Sequence, residues 1–481
     1  MNSSNLGGVN DLVEGNIPTV LYLLSSGFGE TGGGTQLHTW LLLNARNEKS
    51  FVIYYELDFL VLEEFVDNEH CEIMRQSVIQ GLNPLVKSDC FYEFYNKVFS
   101  NYEIDIVHVQ HFFFQSICLV EEAFTRGIPV IISLHDYFCL CPTFFLVDTN
   151  NNFCRGEVTE ECNLCCASKT EIPFHSMEQW RSAMEGALEM AKIIIVPSQG
   201  VADIFSLYYH KIPFKVVEHG TVVSRKESPT YVKGNFNVAF PGHATKTKGS
   251  EHMRYIIENC HDEEVHFHVF GKIVDTELNS LVSNRFTAHG TYESGKLQDL
   301  LEKNSIHVVV LPSLSAETFS LTLSECWQCG IPVIASDIGA LGSRIRETGA
   351  GILIHPNVIG TEWIQAILNL KNDSELYSEM CEKSYKAPQK TVKEMTDEYY
   401  KIYEKIIRNH DYFRVAMPKK LYVEQIEREL IELRTLLNSS NAELIALKSS
   451  TFYKIYFRLV KLPGMWILAL IVRKCWHRFR R

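Results

Sequence analysis

The chain has 481 residues, 46% of them hydrophobic and 22% charged, too many for one ordinary core and enough for two or three globular domains. A net charge of −12 argues against a general nucleic-acid binder. The charge is uneven: residues 451–481 hold eight Lys or Arg and no Asp or Glu, so that segment is +8 and the rest −20, which suggests a basic tail for an anionic surface.

The first residues, "MNSSNLGGVNDLVEGN", have no positive start and no apolar stretch. The expectation is a chain that stays in the cytoplasm, with its fourteen cysteines mostly reduced. Short apolar, β-branched runs then recur at 18–26, 51–56, 104–111, 129–136 and 192–198. A second series follows at 237–242, 265–271, 286–290, 307–312, 332–337 and 351–356, with helical stretches between. Continuous apolar strands alternating with helices predict parallel sheets covered on both faces. The expected architecture is α/β, with two doubly wound Rossmann-like domains at 17–221 and 236–388, joined by a polar linker at 222–235. Closing helices are expected at 389–418. From 419 to 449, Val423, Ile426, Leu430, Leu433, Leu437, Leu444 and Leu447 take alternating three- and four-residue steps, with Ser440 filling one position between Leu437 and Leu444, a coiled-coil seam that predicts a homodimer. Residues 450–481 interleave aromatic, apolar and basic residues, and their longest apolar run is 11 residues. A spanning helix needs about 20, so this tail is expected to lie on an anionic membrane surface rather than cross it.

Three stretches carry chemistry. In "SSGFGETGGGTQLHTWLL" (25–42) a strand runs into a glycine loop and a helix, so that backbone N–H groups near Gly33 and Gly34 can meet a phosphate or sugar. In "FPGHATKTKGSE" (240–251) a strand ends in a basic loop whose Lys248 can hold a diphosphate. Alone, these two also read as a flexible turn and a solvated loop. In "ETFSLTLSE" (317–325) Glu317 precedes a helix beginning near Phe319, and Glu325 lies inside it. A helix start offers free N–H groups to an anion, while the two carboxylates can accept from sugar hydroxyls and from a ribose diol.

Taken together, residues 17–410 resemble the GT-B glycosyltransferases, specifically the retaining family four of bacterial polysaccharide type. The block "PSLSAETFSLTLSECWQCGIPVIASD" carries that family's E-x7-E on Glu317 and Glu325. The resemblance implies a nucleotide-sugar site lined by Gly33, Gly34, His243, Lys248, Gly271, Tyr292, Glu317, Phe319, Ser320, Leu321 and Glu325. His243 stands where the family has an arginine, and Ser320 where it often has glycine. His135, in "SLHDY", matches a histidine that faces the donor sugar. The catalytic residues implied are Glu317, Lys248 and His135. Expected partners are a UDP-, GDP- or ADP-linked sugar and a glycan or lipid-linked acceptor. No D-x-D occurs, in keeping with transfer that uses protein cations and dipoles instead of a catalytic metal. A sugar-nucleotide 2-epimerase and a non-catalytic scaffold share the fold and stand as alternatives.

The insert at 139–166 holds six cysteines. Cys141, Cys154, Cys162 and Cys165, ending in a Cys-x2-Cys, have the ligand types for a structural zinc tetrahedron, with separate buried thiols as the alternative.

Overall fold

The structure, a computed structural model, describes residues 18–28, 33–45, 48–67, 69–78, 84–85, 88–170, 172, 176–221, 235–293, 295–358 and 360–408. Nearly all of the expected linker, the coiled coil and the basic tail lie outside these residues. Among the described residues two sheets form. The first takes β1 (Val20–Leu23), β2 (Ser50–Glu56), β3 (Phe59–Val66), β4 (Glu69–Ser77), β5 (Ile106–Val109), β6 (Val130–Ser133), β7 (Ile193–Val196) and β8 (Phe214–Val216) in the order β4-β3-β2-β1-β5-β6-β7-β8. The second takes β9 (Phe236–Pro241), β10 (Val265–Phe270), β11 (Phe286–Gly290), β12 (Ile306–Leu311), β13 (Val333–Ser336) and β14 (Ile352–Ile354) in the order β11-β10-β9-β12-β13-β14. Both lie in one unit that ends at Asp411.

Successive strand residues serve opposite faces, as the pleat requires. Leu21, Leu23, Phe51 and Ile53 enter one core cluster, and Val20, Tyr22 and Val52 another. The second sheet divides likewise between Val238, Phe240 and Val310 on one face and Ala239, Val309 and Leu311 on the other. Each such side chain contributes about 1.5–3 kcal/mol on full burial, so the apolar runs settle where the strands lie.

The second sheet is wholly parallel, as expected. The first is not. β3 and β4 pair antiparallel beside β2, and neither was anticipated, nor was the three-residue β8. The β2–β3 turn uses Leu57 and Asp58, both left-handed at φ 46° and 69°, with neither the Gly nor the Asn that usually marks such a turn. β4 is largely exposed and shows no apolar alternation.

The helix Val392–Arg408 returns from the second half of the chain to the first sheet. Met395, Tyr399, Tyr400, Tyr403 and Ile406 pack with Val20, Tyr22 and Val52. Polar bonds fix its register: buried His108 joins Tyr403 Oη at 2.7 Å through Nδ1 and Ser133 Oγ at 2.8 Å through Nε2. Burial holds that imidazole down at about 3, so it stays neutral.

Candidate active site

The candidate residues lie on the loops after β9, β10 and β12, with His135 after β6 beside Thr318 and His38, from the helix after β1, beside His135. Strand ends of parallel sheets leave loops and helix starts open to ligands. After β9, Thr245 caps a short turn at Lys246–Lys248. Gly249 follows at φ +79°, and a Cβ there would stand 2.0 Å from the carbonyl oxygen of Pro312. Only glycine lets the Lys248 turn press against the loop that carries Glu317.

That contact produces the central pair. Lys248 Nζ donates to Glu317 Oε1 at 2.6 Å, and Ser313 Oγ donates to the same oxygen at 3.0 Å. Burial pushes the Glu317 carboxyl up. The Lys248 charge and hydrogen bonds from Lys248, Ser320 and Ser313 outweigh it and leave the group below its ordinary value. Glu317 is thus an acceptor-only carboxylate across the neutral range, and the lysine expected to hold phosphate also keeps it ionised. Its backbone carbonyl accepts from Ala340 N at 2.8 Å.

The helix starts at Leu321, two residues later than expected, with Ser320 as its cap. Ser320 is left-handed at φ 67°, a conformation that costs a residue with a Cβ about 1–2 kcal/mol. The strain falls where the resembling family often has glycine. Ser320 Oγ accepts from Leu323 N at 3.4 Å. Arg344, unmarked in the sequence, fixes the loop from behind. Its Nη1 donates to the Phe319 and Ser320 carbonyls at 2.9 and 3.2 Å, and its Nη2 to Ser324 Oγ at 2.9 Å. The guanidinium also lies 4.0 Å over the Phe319 ring. Burial lowers it to about 10, still charged at neutral pH.

Glu325 sits just over one turn into the helix, with its charge felt at the half-buried Tyr292. Gly271 follows β10, where a Cβ would meet Gly242 O at 2.2 Å and His243 N at 3.1 Å, so the predicted Gly271 and His243 do adjoin. His243 is exposed and accepts at Nδ1 from Lys272 N at 3.1 Å.

From the first sheet, His135 Nε2 lies 2.6 Å from Gln110 Oε1. Its carbonyl accepts from Thr318 Oγ1 at 2.7 Å, and Ser198 Oγ donates to Thr318 O at 2.8 Å; these bonds join the two halves beside Glu317. His135 belongs to an unforeseen cluster. His38 lies 4.8 Å from it and 4.7 Å from His219, while His219 meets Phe319 at 5.1 Å between ring centres. Neither ring nitrogen of buried His38 has a hydrogen-bond partner. Burial first, then the neighbouring imidazoles, hold His38 and His135 well below the ordinary value. Burial and then Arg344 bring His219 to about 4. Of these three neutral imidazoles, His38 has both ring nitrogens and His219 its Nδ1 without a partner, a set suited to hydroxyl groups rather than to phosphate. His38 was legible only as a polar interruption of an apolar helix. Gly33 caps that helix (Gly34–Asn44) and donates its N–H to Gln36 Oε1 at 3.0 Å.

The insert thiols lie where the zinc expectation can be compared with geometry. Among the described residues no three His, Cys, Asp or Glu side chains are placed to hold a metal ion. The thiols do gather, since Cys154 feels Cys141, Cys162 and Cys165, and three of them also take nearby partners. Cys162 Sγ donates to Glu157 O at 3.7 Å and Cys165 Sγ to Val147 O at 3.5 Å, while Cys141 Sγ meets Thr143 Oγ1 at 3.3 Å. Cys141 also bonds Cys166, which lay outside the predicted set, and this contact brings Cys141 down to about 6.

Glu325 makes a pH prediction. Burial raises its carboxyl to about 7. Folding stability linked to this group is therefore full below its unfolded value near 4.5 and lost as pH rises through 7. Binding to a diol has the opposite sign, because the ionised form accepts two hydrogen bonds. Affinity for a nucleotide sugar, whose esterified phosphates do not titrate here, is expected to rise between pH 6 and 8 with a midpoint near 7. Glu325→Gln should flatten that profile in titration calorimetry.

Residues 235–373 match the family model described as glycosyl transferases group 1. Over 79 residues the chain is 37% identical to the D-inositol 3-phosphate glycosyltransferase of Paenarthrobacter aurescens (strain TC1), a match covering 16% of this chain and 18% of that relative. Solved structures share the two-sheet fold at low identity. HepE of Anabaena, solved with UDP and glucose, has a TM-score of 0.54 at 15% identity, covering 80% of this chain and 99% of its own. Sucrose-phosphate synthase from Thermosynechococcus elongatus gives 0.53 at 16%, covering 81% and 99%. The pneumococcal O-GlcNAc transferase GtfA, solved with UDP and GlcNAc, gives 0.53 at 13%, covering 82% and 100%. Residues 235–373 are thus similar to the glycosyl transferases of group 1, within a two-sheet, GT-B-like α/β fold.

Proposed function

We propose that the chain moves a hexose from a nucleoside-diphosphate sugar to a glycan or lipid-linked glycan acceptor, with retention at the anomeric carbon. The observation that carries the reading is the Lys248–Glu317 pair at a helix start, with Glu325 and Tyr292 beside it. Breaking the sugar–diphosphate bond leaves negative charge on the departing oxygen. Lys248 and the N–H groups before Leu323 meet that charge in place, so no catalytic metal is required. His243 and the backbone at Gly33 and Gly34 flank the phosphates. Glu325 takes the ribose diol, and Tyr292 with Gly271 brackets the base. Glu317 and His135 orient the sugar, Glu317 as a positioning carboxylate and His135 as a neutral hydrogen-bonding ring. Retention then follows from attack by the acceptor hydroxyl on the face the diphosphate leaves.

The HepE and GtfA structures hold UDP, which favours a uridine donor. The basic, aromatic composition of 450–481 and the heptads of 419–449 support a dimer working at the cytoplasmic face of an anionic membrane. No helix among the described residues is long and apolar enough to cross a membrane. The test is a melting-temperature screen of UDP, GDP, ADP and their sugars, since a ligand at 100 times its Kd adds about 2.7 kcal/mol. UDP and one UDP-sugar should raise the transition. A flat response to all of them, with no donor hydrolysis, would sink the reading.

A further inference from the structure

A cavity of about 370 Å³ lies between the two sheets, and neither Lys248, Glu317, Glu325 nor Tyr292 lines it. Its walls come from the cysteine-rich insert, the helix Gln199–Ser206, the start of the helix Gly339–Thr348 and the loop after β14. The two helices touch beside it: a Cβ on Gly200 would stand 2.7 Å from Gly339 O.

The lining is unusual for an accidental gap. Arg155 is held left-handed at φ 53°, a strained state that needs support from its surroundings. The support is present. Tyr208 Oη donates to the Arg155 carbonyl at 3.0 Å, Arg181 donates to the next carbonyl, of Gly156, and the Arg181 guanidinium stacks 4.1 Å over Tyr208. The clamp presents Arg155 to the cavity beside Phe153. Facing groups come from the other sheet: the paired Asp337 and Arg346, and Asn357, whose backbone N–H is fixed on His355 Nδ1 at 3.3 Å. Asp203 is braced by Gln199 at 2.8 Å.

The chemistry selects the ligand class. Arg155 and Arg346 carry two positive charges and Asp203 and Asp337 two negative ones, so the formal sum is zero and an anion gains nothing. What remains is a ring of planar, forked donors and acceptors around one aromatic face, which matches hydroxyl groups and the apolar face of a pyranose. The volume is at the small end of the roughly 300–1,000 Å³ of ligand pockets, the scale of a mono- or disaccharide.

We propose that this cavity is a second carbohydrate site, which holds a neutral hexose unit or two of the glycan away from the reacting sugar. Its role as an acceptor-side grip rests on the glycosyltransferase reading above; its binding chemistry does not. Contact with both sheets means the glycan bridges them.

The test uses the full chain saturated with whichever nucleoside diphosphate raises its melting temperature. Saturation-transfer NMR is then run with neutral trisaccharides of glucose, galactose, mannose and N-acetylglucosamine. At least one is expected to bind. The double variant Arg155→Gly, Asn357→Ala should weaken it tenfold or more, while the nucleotide-induced shift is unchanged. Glycine at 155 keeps the left-handed turn, so the variant retains its fold. Absence of binding by all four sugars, or binding that survives the double variant, would overturn the proposal. A missing nucleotide response would instead count against the transferase reading and leave the trisaccharide result to decide this one.

Discussion

Lys248→Ala is expected to lower transfer by about two to three decades, the loss usual when one donor to developing negative charge is removed. The effect on stability should be small, because the lysine side chain is 44% exposed and partly exposed ion pairs contribute only about 0–1 kcal/mol. The pair adds a second signature. Glu317 now sits below its ordinary value because Lys248, with Ser320 and Ser313, outweighs burial. Without the lysine, burial wins and the carboxyl rises, so the acid limb of the residual activity should move to higher pH. A lysine that only met phosphate would leave that limb in place. Near-normal transfer by Lys248→Ala with every donor tried would remove the site assignment.

The parts of this molecule that could be read ahead of the structure share a physical cause. Parallel strands buried on both faces must be continuously apolar, so β1, β5, β6, β7, β12 and β13 stand out. The E-x7-E and the basic loop are local in sequence, and their partners sit on the neighbouring strand ends. What stayed hidden depends on long-range contact or on backbone conformation without a sequence mark. The Leu57–Asp58 turn reaches left-handed angles with ordinary residues, so β3 and β4 left no turn signal. The insert thiols have metal-like spacing, yet spacing does not say that Cys165 will find Val147 O or that Cys141 will meet Cys166. The contact of His38 with His135 and His219 joins residues from three separate stretches. Tyr403 reaches His108 across 295 positions, and no local pattern encodes that.

Arg344→Met is expected to destabilise the protein by about 3–5 kcal/mol. The substitution keeps the volume and apolar contact but removes the donors that satisfy the Phe319 and Ser320 carbonyls and Ser324 Oγ. Each buried polar atom left without a partner costs about 1–3 kcal/mol. Against this stands relief from burying a guanidinium that is 6% exposed, which limits the net loss. Arg344→Lys keeps the charge but not the planar fork, so it should recover only part of the stability. The functional consequence is separable from the thermodynamic one. The released carbonyls belong to the strained Ser320 corner, which orients Glu317 and the helix start. Donor affinity should therefore fall in both variants, measured at a temperature where each is still folded, by more than in a control of equal stability loss far from the site, such as Tyr403→Phe. Equal donor affinity in Arg344→Met and wild type would show that the corner holds its shape without the guanidinium and that Arg344 acts on stability alone.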